Sequence, residues 1–435
     1  ILKQSQHGNS SGESNFTLES FKTQIDPFLE ENISYHLLRS KSLYSIGTVT
    51  NGAVTIDTEG KLSGVLNKQT GLEDATIYSQ MTDASDNLWL ATSNGITKVN
   101  IHSPVTSFSD KNGLSGHVLD IVRHANTLYV ATNHGVSLLH PGYLSNGTVF
   151  FPASFENIPS IKEECWDLLS FNYGKYSMLL GVSSENIFSI DKQLNTKEIL
   201  RCKPWRIYQS KFDSARVFVG LENGMSSLYW NGNQWLEEAA IPELSESVHS
   251  ITEDAQGNIW LGHTDGTIKI SFKEAANAPR KLQKADSYSI SKYDSINSGL
   301  PDGIIEIANV NGQILFGGAD GVYTFADGKF TRQTSYGSEF SDVKRQIHRI
   351  AYEKNSRNIW LETHIEAKYK FEFGFLRKDR GNKFSWYTTP FLPYSDEIIH
   401  SIYHDDNGIT WFGGSEGLYR YDAATDSHKN NSFNA

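Results

Sequence analysis

Apolar and polar positions alternate in short runs along this chain, and the runs return in the same order many times. Leu88-Trp89-Leu90-Ala91-Thr92-Ser93-Asn94-Gly95 comes back as Leu128-Tyr129-Val130-Ala131-Thr132-Asn133-His134-Gly135. It comes back again as Ile259-Trp260-Leu261-Gly262-His263-Thr264-Asp265-Gly266, and as Thr410-Trp411-Phe412-Gly413-Gly414-Ser415-Glu416-Gly417. Weaker copies lie at Leu43–Gly52, Met178–Asn186, Val217–Gly224, Ile314–Gly321 and Ile359–Glu366. A small residue marks each copy at 47, 91, 131, 181, 220, 262, 317 and 413, with Glu362 standing in its place in the eighth.

Each copy predicts four strands. In the sixth, Val248–Glu253 is a strand, Ala255–Asn258 a turn, Ile259–Gly262 a short apolar strand and Thr267–Phe272 the next, with an outer strand over Tyr288–Tyr293. Asp265-Gly266 supplies the positive φ that a two-residue hairpin turn needs. The second strand is apolar without interruption, as expected of a strand covered on both faces. Trp89, Trp260, Trp360 and Trp411 on it are therefore expected to be buried between sheets. Four-stranded units at this period predict an all-β fold, a β-propeller of about nine blades. A β-helix needs shorter repeats, and a helical solenoid needs a 3.6-residue period that no long stretch holds. Thr17–Glu31 and Glu237–Glu246 are the only weak helix candidates. The last copy stops after its third strand, so Phe16–Ile25 is expected to complete it and close one ring. Parts of two rings are the competing account. The propeller is expected over 16–425, with a polar segment over 1–15 and a polar tail or linker over 426–435.

Composition narrows the function. No run approaches 18 apolar residues, so no membrane-spanning helix is predicted. The chain begins at Ile1 without a signal-peptide pattern and reads as a mature or excised segment. With 39 basic and 50 acidic residues the formal charge is −11, which argues against a nucleic-acid partner. Two cysteines in 435 residues exclude a disulfide scaffold and a cysteine zinc module. Cys165 and Cys202 head consecutive repeats and are expected as two separate thiols.

The sequence has no HExxH, P-loop, GxSxG or GxGxxG motif. No catalytic residue, metal or cofactor is predicted. Asp83, Asp254 and Asp406 precede turns and are expected to bond the turn backbone. Three histidines share one register near the start of the innermost strand: His249, His348 and His400. Tyr78, Leu119, Trp166, Arg206 and Ile305 hold the matching places elsewhere. Such a position lies at one mouth of a propeller's channel, where it either bonds the neighbouring blade or lines a ligand site. Trp166, Trp205, Arg206 and Arg349 join the histidines as ligand-binding candidates. Trp386 and Tyr387 are added from the aromatic cluster Lys383–Tyr394, which also holds part of an outer strand.

Glu253-Asp254-Ala255-Gln256-Gly257-Asn258-Ile259-Trp260-Leu261-Gly262, with Ser298-Gly299-Leu300-Pro301-Asp302 as its connector, resembles the repeat of the two-component regulator propeller family. The same pattern runs through Gly71-Leu72, Gly113-Leu114 and Asn87–Thr92, and the resemblance covers residues 33–421. Cys165–Ile190 and Ile347–Phe373 match it poorly. The resemblance implies a ligand-sensing region on the periplasmic or extracellular side of a bacterial receptor, recognising a carbohydrate or other nutrient. It implies a small-molecule or oligosaccharide partner, and attachment to the membrane only through segments absent from this chain. A homodimer through the parent receptor is left open. A propeller glycoside hydrolase or lyase, or a protein-binding surface scaffold, are the alternatives.

Overall fold

The computed structural model describes residues 2–4, 16–41, 43–145, 149–238, 240–273 and 287–426. Most of the polar segment over 1–15, and the tail beyond residue 426, lie outside the described residues. The chain divides into two compact units. The span expected as one ring is thus split. Seven four-stranded antiparallel sheets belong to the unit formed by 104–139 and 155–435; among the described residues, one four-stranded, one three-stranded and two two-stranded sheets belong to the unit formed by 1–103 and 140–154. Among the described residues no helix exceeds six residues. Asp26–Glu31 is helical, burying Phe28, whereas 237–246 holds the end of the strand Trp235–Glu238 and turns.

In the larger unit the sheets follow the repeats. The first strands of the seven sheets are Val118–His124, Cys165–Tyr173, Pro204–Gln209, Val248–Glu253, Glu306–Val310, Gln346–Glu353 and Ile399–His404. Each packs beside the next, and the seventh packs beside the first. The poorly matching repeats at 165 and 347 form complete four-stranded sheets as well. The sixth repeat has its outer strand at Tyr288–Tyr293.

The fourth strand of the seventh sheet is Val105–Phe108, paired antiparallel with Leu418–Asp422. This corrects the expectation for Phe16–Ile25, of which Phe16–Leu18 pairs with Leu2–Gln4 in the smaller unit. Val105–Phe108 reads as the outer strand of its own repeat, but it leaves that sheet three-stranded (Ile77–Thr82, Leu88–Thr92, Gly95–Val99) and adds to the last one. Arg123 reinforces the junction between the first and seventh sheets, donating from Nε and Nη2 to the two oxygens of Asp405 at 2.6 Å each.

Apolar cores fill the spaces between successive sheets. One holds Phe218, Val248, Ile251, Leu261 and Ile268; the next holds Trp260, Ile305, Ile307 and Phe316. The small residue of the repeat permits this approach. A Cβ on Gly262 would meet the Ile305 carbonyl and the Ser250 hydroxyl, and one on Gly413 would meet Val118. The tryptophan beside it is anchored by the acidic residue that caps the preceding turn. Trp260 Nε1 donates to Asp254 Oδ2 at 3.0 Å, while Asp254 Oδ1 accepts the Gln256 and Asn258 amides. In the last copy this acid is Asp405, at 2.8 Å from Trp411 Nε1, and not Asp406. Trp260, Trp360 and Trp411 are buried. Trp89, in the three-stranded sheet of the smaller unit, is half-buried beneath Lys98.

Both cysteines are free thiols. Burial raises the pKa of each, that of Cys202 to about 11. Thiol titration of the denatured, unreduced protein should therefore count two thiols; a count of zero would mean the sulfurs are bridged.

Candidate functional site

The register that singled out the histidines is a structural device. In six of the seven first strands the pairing skips one residue near the strand's start. The shifts fall at Val118/Asp120, Cys165/Asp167, Pro204/Arg206, Val248/Ser250, Ile347/Arg349 and Ile399/Ser401. A β-bulge frees the skipped side chain from the ladder and re-aims it. The skipped residues are Leu119, Trp166, Trp205, His249, His348 and His400. Trp205, not Arg206, shares the histidines' register. The fifth sheet has no such shift, and Ile304 supplies its contribution from the residues before the strand.

The residues after the skipped ones form a second polar tier: Asp120, Asp167, Arg206, Ser250, Glu306, Arg349 and Ser401. Each joins its sheet to a neighbour. Asp120 accepts the Leu168 amide at 2.9 Å and the Ser401 hydroxyl at 3.0 Å. Asp167 accepts Arg206 Nη1 at 3.0 Å and the Ile207 amide at 2.7 Å. Arg206 Nε donates to the His249 carbonyl at 3.1 Å, and Ser250 Oγ to the Ile305 carbonyl at 3.4 Å. Glu306 lies 3.7 Å from Arg349 Nη1, and Arg349 Nε donates to the His400 carbonyl at 2.5 Å. The contacts thus pass through all seven sheets and return to the first. The neighbouring sheets are held by the backbone carbonyls of His249 and His400, which leaves their imidazoles uninvolved in the joint.

Above this tier is a cavity of about 260 Å³, lined by Leu119, Trp166, Trp205, Arg206, His249, Ile304, Glu306, Arg349 and His400. It brings together six of the nine residues singled out from sequence. The Trp166 and Trp205 rings lie 4.8 Å apart, and Trp205 lies 5.5 Å from the His249 ring. Several polar groups here have no partner among the described residues. Trp205 Nε1 and His249 Nε2 are buried and unbonded, and no hydrogen bond engages Nη2 of Arg206 or of Arg349.

The electrostatics follow from burial beside two guanidinium groups. Burial, then Arg206 and Arg349, lower the pKa of His249. Burial and Arg349 bring His400 down to about 4, and His348 likewise. The imidazoles are neutral at pH 7. Burial raises Glu306 against the pull of Arg349 and Arg206, and raises Asp167 against that of Arg206.

The other three candidates lie elsewhere. The His348 ring stands 6.3 Å from His364 and 6.0 Å from Phe371. Trp386 and Tyr387 belong to the outer strand Phe384–Tyr387. Trp386 packs on Phe340 and donates to Glu372 at 3.4 Å, and Tyr387 donates to Asp426 at 2.8 Å. Their aromaticity is used in packing. Glu306 went unrecognised in the sequence, as did Asp120 and Asp167. The signal was available: with the repeats aligned, the residue after the histidine register is polar in every sheet of the larger unit.

Residues 242–265 match the family described as two component regulator propeller. The fold is similar to that of the extracellular domain of the putative hybrid two component system BT3049 from B. thetaiotaomicron, with a TM-score of 0.60 at 19% identity over 92% of this chain. The chain spans about half, 52%, of that structure. The extracellular domain of the putative one component system BT4673 from the same organism matches at 16% identity over 88% of this chain and 56% of its own, with a TM-score of 0.29. Virginiamycin B lyase from Staphylococcus aureus, in a catalytically inactive form, matches at 12% identity over 73% of this chain and 98% of its own, with a TM-score of 0.48. No curated protein sequence matches this chain. Residues 242–265 carry the two-component regulator propeller repeat, within a β-propeller fold.

Proposed function

We propose that this chain is the ligand-sensing propeller region of a bacterial signalling receptor, on the extracytoplasmic side of the envelope, and that the cavity of the larger unit receives a carbohydrate. The observation that carries the reading is the set of unused polar atoms on Trp205, His249, Arg206 and Arg349 beside two indole faces. Buried polar groups without partners are costly, and a ligand that bonds them recovers that cost. An indole offers its flat apolar face to the C–H side of a sugar ring while hydroxyls reach the surrounding donors. The volume lies just below the roughly 300 Å³ at which pockets for drug-sized ligands begin, so one sugar unit enters and the rest of a chain extends outward. The likeness of the repeat to sensor propellers supports the receptor context, and binding without turnover is the expected behaviour.

The test is a titration of mono- and disaccharides followed by tryptophan fluorescence and calorimetry. A binding sugar should change the indole emission, and Trp205→Ala should weaken it at least ten-fold. Trp386→Ala should leave the affinity unchanged. Equal losses in both variants, or no response to any sugar, would remove the assignment; product accumulating from a bound sugar would make the chain an enzyme.

A further inference from the structure

The cavity's unused groups are unequal in kind, and the inequality narrows the ligand. Donors dominate. Nη2 of Arg206 and Nη2 of Arg349 each carry two N–H groups with no partner, and Trp205 Nε1 carries one. The residues with acceptors that line the same space are Glu306 and His249, whose buried Nε2 has no hydrogen-bond partner.

The two arginines are also unequally neutralised. Arg206 has a direct partner at 3.0 Å in Asp167, which does not line the cavity. Arg349 spends its Nε and Nη1 on the backbone carbonyls of His400 and His348, and its nearest carboxylate, Glu306, stands at 3.7 Å. Glu362 pairs with Arg349 in strand register, yet neither of its carboxyl oxygens makes a hydrogen bond. Burial pushes Glu362 up to about 8 and raises Glu306, as it raises Asp167 beside Arg206, so the two arginines differ in their contacts: a carboxylate at 3.0 Å for Arg206 and at 3.7 Å for Arg349. The three neighbouring imidazoles stay neutral and add no cation of their own.

We infer that the cavity selects an acidic sugar, a hexuronic acid whose carboxylate is taken by the unengaged Nη2 of Arg349, with Arg206 and Trp205 as further donors. A free guanidinium N–H donates a charge-assisted hydrogen bond to a carboxylate, stronger than one to a neutral hydroxyl. The ring stacks on the Trp166–Trp205 pair, and its hydroxyls donate to Glu306 and His249. This inference rests on the carbohydrate-binding reading above and adds the charge of the ligand to it.

The test compares galacturonic acid, its methyl ester and galactose on the wild-type protein by calorimetry at neutral pH. The acid should bind at least ten-fold more tightly than either neutral sugar, and the preference should shrink as salt is raised. In Arg349→Gln the ratio of acid to ester affinity should fall toward one. If galactose or the ester binds as well as the acid, this inference is overturned while carbohydrate binding stands. If none of the three binds, nor any other sugar in the panel, both fall. An acid preference that survives intact in folded Arg349→Gln overturns the role of Arg349. Should that variant fail to fold, the acid-to-ester ratio of the wild type decides alone.

Discussion

Replacing Trp260 with Ala is expected to lower the free energy of unfolding by about 3–5 kcal/mol, the range for removing a large aromatic side chain from a packed core. Trp260 is 2% exposed. Its ring lies 5.1 Å from those of Phe316 and Phe325, and Tyr293 stacks on it at 6.1 Å. Lys269 stands 5.1 Å above it. Alanine would empty the space between the fourth and fifth sheets. It would also strand Asp254, which loses the indole donor at 3.0 Å and keeps only its bonds within the turn. Trp260→Phe should recover most of the packing and none of the Asp254 bond, and so fall between. Chemical denaturation followed by circular dichroism measures both. A loss within half a kcal/mol for alanine would show that the ring is not in the core.

Glu362→Gln is expected to stabilise the protein at pH 7. Glu362 occupies the place that glycine or alanine holds in the other repeats, and it is fully buried without a hydrogen bond to either oxygen. Burial raises its pKa to about 8 from 4.5, with Arg349 opposing. Below pH 4.5 folded and unfolded chains both hold the proton. Between 4.5 and 8 the unfolded chain releases it and the folded chain does not, so stability falls as pH rises, by about 1.4 kcal/mol per unit. At pH 7 the accumulated penalty is on the order of 3 kcal/mol. Glutamine has the same shape and no proton to lose, so the gain should vanish near pH 4.5 and grow toward neutrality. Denaturation curves at pH 4.5, 5.5 and 7 check this; parallel pH profiles for the two proteins would mean that Glu362 ionises freely.

The periodic part of the structure was legible because it is written in residue types that have one physical use. The glycine of Asp265-Gly266 and the apolar run Ile259–Gly262 placed a turn and a buried strand without reference to the rest of the chain. Trp166 and the histidines were legible in the same way, as one column of a repeat, although that column was aligned with Arg206 where the pairing skips Trp205. What was not legible depends on partners far along the sequence. A β-bulge is a property of two strands, so nothing in Pro204-Trp205-Arg206 alone says which residue the pairing will skip. The recruitment of Val105–Phe108 by Leu418–Asp422 is likewise decided by which sheet edge is open. Trp386 and Tyr387 misled because an aromatic ring that packs and one that binds are the same residue; only Phe340, Glu372 and Asp426 distinguish them.

The pairing of Val105–Phe108 with Leu418–Asp422 has a consequence for synthesis. Roughly 300 residues separate the two strands, and at ~5–20 residues per second the first waits about 15–60 s for the second to leave the ribosome. For nearly all of that interval, until residues 399–405 have been made, the first sheet lacks the seventh as a neighbour, and Arg123 lacks Asp405. A strand edge left open for so long invites pairing with another chain. The larger unit can therefore build up sheet by sheet, but its last joint forms only after nearly all of the chain has been made, and a translational pause or truncation shortly before residue 399 would leave the other six sheets around an unfilled gap.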